Sequence, residues 1–115
     1  MKLQEIARKL SLEVRTATGK LDVEVTGGYA SDLLSYVMAK AKMGNVWVTV
    51  QGHANIVAVA SLLNLAGIIV AEGGKLEAAT LEKAEQEGIP ILTTGLTTYT
   101  VVGRLFELGV HGGAD

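Results

Sequence analysis

The chain has 115 residues, of which 49% are hydrophobic and 4% aromatic, and its formal net charge is −2. This length predicts one domain with an aliphatic core, and the scattered charges, without a basic stripe beside aromatic residues, argue against nucleic-acid binding. The absence of cysteine excludes a disulfide framework and thiolate chemistry. The longest apolar stretch, 56–71, is too short and too mixed to span a membrane, and no apolar signal segment opens the chain. We therefore expect a cytoplasmic protein.

The first third of the chain combines a short helix with two alternating segments. Apolar residues at helical spacing predict an amphipathic helix over residues 2–9. Residues 12–14 and 21–25 alternate apolar and polar side chains, which is typical of half-buried strands. A Gly-Gly loop at 27–28 is then expected at the end of the second strand. Ser31 follows as the N-cap of a helix.

Four glycines, at positions 44, 67, 88 and 109, divide the rest of the chain about every 22 residues. Each of the first three precedes a β-rich run, and each run leads through a polar loop into a helical stretch that ends at the next glycine. Glycine commonly follows a helix because the left-handed backbone costs it little. This repeat predicts βαβ crossovers, so the expected fold is a three-layer α/β domain with a mostly parallel sheet.

The helix expected from Ala54 to Ala66 is apolar around almost its whole circumference. Such a helix must be buried on two sides. One side can pack on the sheet, and we expect a second copy of the chain, related by a twofold axis, to cover the other. The alternative is that the N-terminal helix or a neighbouring strand covers it within one chain.

The loops at the expected carboxyl ends of the strands are rich in Gly, Thr and Asn, which let backbone amides approach a ligand. Open parallel sheets bind ligands at this edge, and helix N-termini favour anions. We therefore predict a site for a small anionic or hydroxylated ligand such as a nucleotide. The alternative is that these residues only form turns and caps. The candidate ligand-binding residues are Gly27, Gly28, Gly52, His53, Asn55, Gly73, Thr93 and Thr94.

The sequence offers little for catalysis. His53 is a candidate for acid–base chemistry or a phosphate contact, and helix capping is its ordinary alternative role. Gly19-Lys20 does not complete a P-loop, because Val14 and Leu21 stand where the motif needs glycine and a hydroxyl residue. His53 and Glu72 lack the spacing of a metal motif. We expect no catalytic residue, no metal and no cofactor.

Three segments in this order resemble the DRTGG-domain family: residues 27–34 (GGYASDLL), 55–63 (NIVAVASLL) and 88–94 (GIPILTT). The similarity covers almost the whole chain. It implies a fold like the N-terminal domain of HPr kinase/phosphorylase-type proteins, a homodimer, and a regulatory rather than catalytic role. The ligand implied is an adenine nucleotide or a similar anionic metabolite, because relatives lie beside adenine-nucleotide-binding modules.

The chain departs from the residues that give this family its name. Gly52-His53 stands where the Asp-Arg pair is expected, and Glu72-Gly73-Gly74 keeps only the glycines of the Thr-Gly-Gly end. The resemblance is to a stand-alone member, with one domain over 1–110 and a flexible tail at 111–115. The alternative function is a protein–protein interaction or dimerisation module that binds a partner protein and no small molecule.

Overall fold

The computed structural model of the chain describes residues 1–113 as a five-stranded sheet between two layers of helices. In chain order the elements are α1 (Leu3–Lys9), β1 (Glu13–Val14), a 3₁₀ helix (Thr18–Lys20), β2 (Gly27–Ala30), α2 (Leu34–Lys40), β3 (Asn45–Thr49), α3 (Asn55–Leu63), β4 (Gly67–Val70), α4 (Ala78–Glu87), β5 (Ile91–Thr93) and α5 (Thr98–Glu107). The strand order is β1-β5-β4-β3-β2. β2 to β5 run parallel, and β1 pairs antiparallel with β5. The predicted three-layer, mostly parallel α/β fold is confirmed.

Each face of the sheet carries its own apolar core. Val46 and Val48 of β3 belong to the core that α1 and α5 cover, whereas Trp47 belongs to the core beneath α2, α3 and α4. This alternation follows from the two-residue period of a strand. All five residues of β3 are buried, as expected for a parallel strand covered on both faces.

The apolar circumference of α3 is covered within the chain. Ile56, Val57, Val59 and Ala60 are buried, and α3 contacts α2 on one side and α4 on the other. The cover therefore comes from the flanking helices, not from the N-terminal helix or a strand. Leu62, 67% exposed, is the large apolar side chain that α3 leaves in solvent. The circumference of α3 does not by itself require a second copy of the chain.

Three of the four spaced glycines follow helices with positive φ angles, as predicted. Gly67 differs, because it is the first residue of β4 and Asn64, with φ of 55°, ends α3. A Cβ atom on Gly67 would lie 2.9 Å from Cδ2 of Leu3. A side chain at Gly67 would therefore crowd Leu3 where α1 packs against the sheet, whereas no helix ends at this glycine.

The strand predicted over residues 21–25 is not part of the sheet. This segment pairs instead with the entry to α1, where Leu3 N–H donates to Val23 O at 3.0 Å and Val25 N–H donates to Met1 O at 2.9 Å. Val25 is buried while Val23 is exposed. The predicted alternation of buried and exposed side chains is present, but it belongs to an extended segment that packs beside α1 and not to a strand of the sheet.

Gly27 and Gly28 form the first half of β2 and not a loop at the carboxyl end of a strand. They pair in register with Asn45 and Val46. The Gly28 N–H donates to His111 O at 3.0 Å, and a Cβ atom on Gly27 would lie 2.7 Å from the same oxygen. His111 therefore contacts the edge of β2, at the first residue of the tail predicted over 111–115. Residues 114–115 of that tail lie outside the described residues.

Candidate functional site

Four loops leave the carboxyl ends of β2 to β5 at one edge of the sheet. They comprise residues 31–33, 50–54, 71–77 and 94–97. Three of the four loops named from the sequence therefore share this edge. The loop at the carboxyl end of β2 comprises residues 31–33 and not the predicted 27–28, because β2 begins at Gly27 and ends at Ala30.

A polar cleft of about 420 Å³ lies where this edge reaches β4, β5 and β1. It brings together three of the eight predicted residues, Gly73, Thr93 and Thr94. β1 adds charge to the cleft, because Glu13 pairs with Thr93 across the antiparallel register. The lining residues are Ser11, Glu13, Arg15, Gly73, Gly74, Thr93, Thr94 and Gly95.

Arg15 is the basic side chain of this cleft. Its Nε atom lies 3.5 Å from Oε1 of Glu13, and the two side chains are 37% and 71% exposed, so the pair adds little to stability. Within residues 1–113 the terminal guanidinium nitrogens of Arg15 have no hydrogen-bond partner. A planar guanidinium with free N–H donors is suited to bind a phosphate or carboxylate.

The floor of the cleft is formed by two loops that hydrogen-bond to each other. Gly73 N–H donates to Thr94 O at 3.0 Å, and Glu72 N–H donates to Leu96 O at 2.8 Å. The Thr94 hydroxyl accepts the N–H of Leu96 at 3.1 Å, which leaves its own proton for another acceptor. The loops after β4 and β5 therefore form one unit.

This unit continues into α5. The carboxylate of Glu72 accepts the backbone N–H of Thr98, the first residue of α5, at 2.9 Å. Thr97 is the N-cap of the same helix, and its hydroxyl accepts the N–H of Thr100 at 3.3 Å. A carboxylate at a helix N-terminus is favoured by the helix dipole. Glu72 therefore ties the wall of the cleft to the start of α5.

Gly52, His53 and Asn55 lie at the carboxyl end of β3, outside the polar cleft. His53 Nδ1 accepts the N–H of Asn55 at 3.0 Å, which is the capping role. A Cβ atom on Gly52 would collide with the carbonyl oxygen of Lys75, and the Gly52 carbonyl accepts the Thr80 hydroxyl at 2.7 Å. The structure gives these residues contacts that shape the loop after β3.

Sequence reasoning missed Ser11, Glu13 and Arg15, because β1 joins the site only through its pairing with β5. It also missed Asp32, whose carboxylate accepts the Thr49 hydroxyl at 2.8 Å and the Val50 N–H at 2.9 Å. Asp32 lies two residues after the end of β2, and aspartate is a common turn residue, so its position could have been predicted from the sequence.

The N-cap predicted at Ser31 is wrong. α2 begins three residues later, with Leu33 at the N-cap, and the Ser31 hydroxyl instead accepts the Leu33 N–H at 3.1 Å.

An apolar groove of about 110 Å³ lies between β2 and α5. Two of the side chains that line it, Phe106 and His111, stack with 4.3 Å between their ring centroids. Gly28 is the predicted site residue that lies here. The lining residues are Gly28, Tyr29, Ala30, Val48, Val102, Leu105, Phe106, Val110, His111 and Gly112.

Within residues 1–113, no three His, Cys, Asp or Glu side chains are grouped so that they could hold a metal ion. In the same range no helix has both the length and the apolar character needed to cross a membrane.

The fold and its cleft define a small three-layer α/β domain with an open, mostly parallel sheet. The chain belongs to the DRTGG domain family, whose model matches residues 5–108, and the resemblance seen in the sequence is confirmed. A comparison with curated protein sequences gives no significant match.

The fold is similar to a solved structure of the CBS and DRTGG domains of the regulatory region of Clostridium perfringens pyrophosphatase, complexed with the activator diadenosine tetraphosphate. The TM-score is 0.74 and the sequence identity 19%. The match covers 96% of this chain and 47% of that one, so this chain spans about half the length of its structural relative.

Proposed function

We propose that this domain is a non-catalytic regulatory module that binds an anionic metabolite, with an adenine nucleotide as the first candidate, in the polar cleft. The observation that carries the proposal is the guanidinium of Arg15, whose terminal nitrogens have no hydrogen-bond partner within residues 1–113, among hydroxyl groups and glycines at the carboxyl edge of the sheet. Support for a nucleotide comes from the structural relative, whose regulatory region is complexed with diadenosine tetraphosphate as activator.

The cleft is suited to the phosphates of a nucleotide rather than to its base. None of its lining residues is aromatic, so a base would find no ring to stack on. Arg15 and the threonine hydroxyls offer the charge-assisted and neutral hydrogen bonds that phosphate oxygens accept. We expect affinity to increase with the number of phosphates, and adenosine itself to bind weakly.

The residues that line the cleft favour binding of a ligand without its chemical conversion. Glu13 is the carboxylate of the cleft, and it is 71% exposed beside Arg15. A general base must be held within hydrogen-bond distance of the proton that it takes. An exposed carboxylate paired with arginine does not meet that requirement.

Regulation requires that the bound state differs from the free state elsewhere in the domain. The hydrogen bonds from Gly73 and Glu72 connect the cleft to Thr94, Leu96 and the first turn of α5. We propose that ligand binding alters the position of this turn. The domain would then transmit the ligand signal to whatever contacts α5.

The test is a thermal-shift titration with diadenosine tetraphosphate, ATP, ADP, AMP and adenosine. A ligand at one hundred times its Kd stabilises the folded state by about 2.7 kcal/mol, which raises the Tm of a small domain by several degrees. Arg15→Ala removes the charged donor and should weaken binding about 10- to 100-fold. Arg8→Ala is the matched control, because Arg8 is an exposed arginine on α1 outside the cleft.

No stabilisation by any phosphate ligand would contradict the proposal. So would equal weakening by both arginine variants, because that result would indicate only a general effect of net charge. Asn55→Ala tests whether the ligand reaches the start of α3. A loss of affinity in this variant together with full affinity in Arg15→Ala would move the site to the β3 end of the edge.

The second candidate function is a protein–protein interaction module without a small-molecule ligand, and we propose a homodimer in either case. The observation that favours it is the set of large apolar side chains that α5 leaves exposed: Tyr99 at 90%, Val102 at 41% and Phe106 at 62%. The cysteine-free sequence fits the cytoplasm as the proposed location.

A further inference from the structure

We propose that the polar cleft takes its phosphate ligand as a complex with a divalent cation such as Mg²⁺. In this complex Arg15 contacts phosphate oxygens, and Glu13 contacts the cation or the water bound to it. The inference rests on the proposed phosphate site and names the form of the ligand that the site accepts. The cation comes with the ligand, and the protein adds one carboxylate to it.

The formal charges of the cleft cancel. Among its eight lining residues the two charged side chains are Glu13, which is acidic, and Arg15, which is basic. The chain as a whole does not attract an anion, because its formal net charge is −2. A free polyphosphate would therefore gain one attractive contact with Arg15 and meet a repulsive carboxylate beside it. A ligand whose charge is partly neutralised by a bound cation avoids this repulsion.

The geometry of Glu13 and Arg15 leaves both side chains able to bind a ligand. They are two residues apart, so in extended backbone they project from the same face of the sheet. Their contact joins Nε of Arg15 to Oε1 of Glu13 at 3.5 Å. It does not occupy the terminal guanidinium nitrogens or the second carboxylate oxygen. A phosphate on Arg15 and a cation on Glu13 would thus lie next to each other, as they do in a metal–phosphate chelate.

The oxygen atoms around Glu13 suit a hydrated cation. Thr93 lies directly opposite Glu13 in the register of β1 and β5, and such residues share one face of the sheet. Its hydroxyl can accept a proton from metal-bound water or donate one to a phosphate oxygen. Mg²⁺ prefers oxygen ligands and keeps several of its waters. The cleft of about 420 Å³ has room for them, because each water takes about 30 Å³.

The protein needs the phosphates of the ligand to complete this site. Within residues 1–113, no three His, Cys, Asp or Glu side chains are grouped so that they could hold a metal ion alone. Glu72, a neighbouring carboxylate, already accepts the Thr98 N–H at 2.9 Å. Mg²⁺ is usually held by one or two carboxylates together with substrate phosphates. One carboxylate beside a phosphate-binding arginine provides that arrangement.

The test is isothermal titration calorimetry of the whole chain with ATP, in Mg²⁺ and in EDTA, at equal ionic strength so that screening is the same. For the wild type we expect a Kd about 10-fold lower in Mg²⁺, the effect of one hydrogen bond to a charged group. Glu13→Gln should remove most of this difference, because it weakens binding in Mg²⁺ and relieves the repulsion in EDTA. Glu82→Gln makes the same charge change on the exposed surface of α4, outside the cleft, and should keep the wild-type ratio.

Paramagnetic broadening of NMR signals gives an independent measurement. Mn²⁺ takes the same oxygen ligands as Mg²⁺ and broadens the signals of nearby nuclei. With Mn²⁺ and ATP together, the backbone amide signals of Gly73, Thr94 and Gly95 should broaden in the wild type, and less in Glu13→Gln. The same concentration of Mn²⁺ without ATP should leave these signals sharp, because the cation comes with the ligand.

The outcomes distinguish this inference from the proposed function. Equal Kd values for ATP in Mg²⁺ and in EDTA would overturn the cation and leave the nucleotide site intact. A preference for Mg²⁺ that Glu13→Gln keeps in full would also overturn the inference, because Glu13 would then not contact the cation. Equal broadening by Mn²⁺ with and without ATP would do the same, since the protein would hold the cation alone. ATP that binds in neither buffer would overturn both proposals.

Discussion

The carbonyl oxygen of Lys75 occupies the space into which a side chain on Gly52 would project. The two residues bring the loop after β3 against the segment before α4, and the Gly52 carbonyl accepts the Thr80 hydroxyl at the same place. The glycine is required by this close approach. Gly52→Ala should therefore destabilise the domain whether or not a ligand is present.

We expect Gly52→Ala to cost about 1–3 kcal/mol, the usual range for overpacking. Urea denaturation followed by circular dichroism measures it directly. Gly95→Ala is the control, because nothing lies within 4 Å of a Cβ atom there. If both variants unfold at the wild-type urea concentration, the collision with Lys75 is relieved at no cost and the explanation fails.

Thr16 is 1% exposed, and its hydroxyl makes two hydrogen bonds to β5 and the residues before it. It donates to Ile89 O at 2.7 Å and accepts from Ile91 N–H at 2.9 Å. Thr16→Val keeps the shape but leaves a buried carbonyl and a buried N–H without partners, which should lower the free energy of unfolding by about 1–3 kcal/mol. Thr18→Val, at an exposed position, should be nearly neutral in the same denaturation experiment.

Glu72→Ala removes the carboxylate that accepts the Thr98 N–H. We expect a loss of about 1 kcal/mol, typical of a lost helix cap, and faster amide hydrogen exchange at Thr98 than in the wild type. Glu82→Ala, on the exposed surface of α4, controls for the change in net charge. Unchanged exchange at Thr98 would show that Glu72 does not hold the start of α5.

Gly103→Ala should raise the free energy of unfolding by about 0.5–1 kcal/mol, because alanine is the better helix former and nothing lies within 4 Å of a Cβ atom at this position. Urea denaturation followed by circular dichroism measures the change. A destabilised variant would contradict this expectation.

The glycine spacing predicted β3, β4 and β5 and the helices after them, because each unit forms from neighbouring residues. It also predicted the shared edge of the sheet, where Gly73, Thr93 and Thr94 meet. Local pattern could not predict Gly27 and Gly28 as strand residues. Their place in β2 depends on pairing with Asn45 and Val46 of β3. The need for glycine depends on His111, more than eighty residues later, whose carbonyl fills the space that a side chain at Gly27 would need.

The same reason explains why Arg15 was missed. β1 has only two residues, and its position is set by pairing with β5 through Glu13 and Val14. No periodicity in so short a segment indicates a partner. The exposed apolar side chains of α5 were equally hard to predict, because Tyr99, Val102 and Phe106 are residue types typical of a core and only the structure shows that α5 buries Val101 and Leu105 instead.

The pairing of β1 with β5 also constrains the order in which the domain can be completed during synthesis. β1 and Thr16 leave the ribosome before their partners at Ile89, Ile91 and Thr93, which follow more than seventy residues later. β2, β3 and β4 can pair in the meantime, while the amino-terminal segment has no strand to join. The polar cleft, which both Arg15 and Thr93 line, is therefore assembled only after β5 has been synthesised.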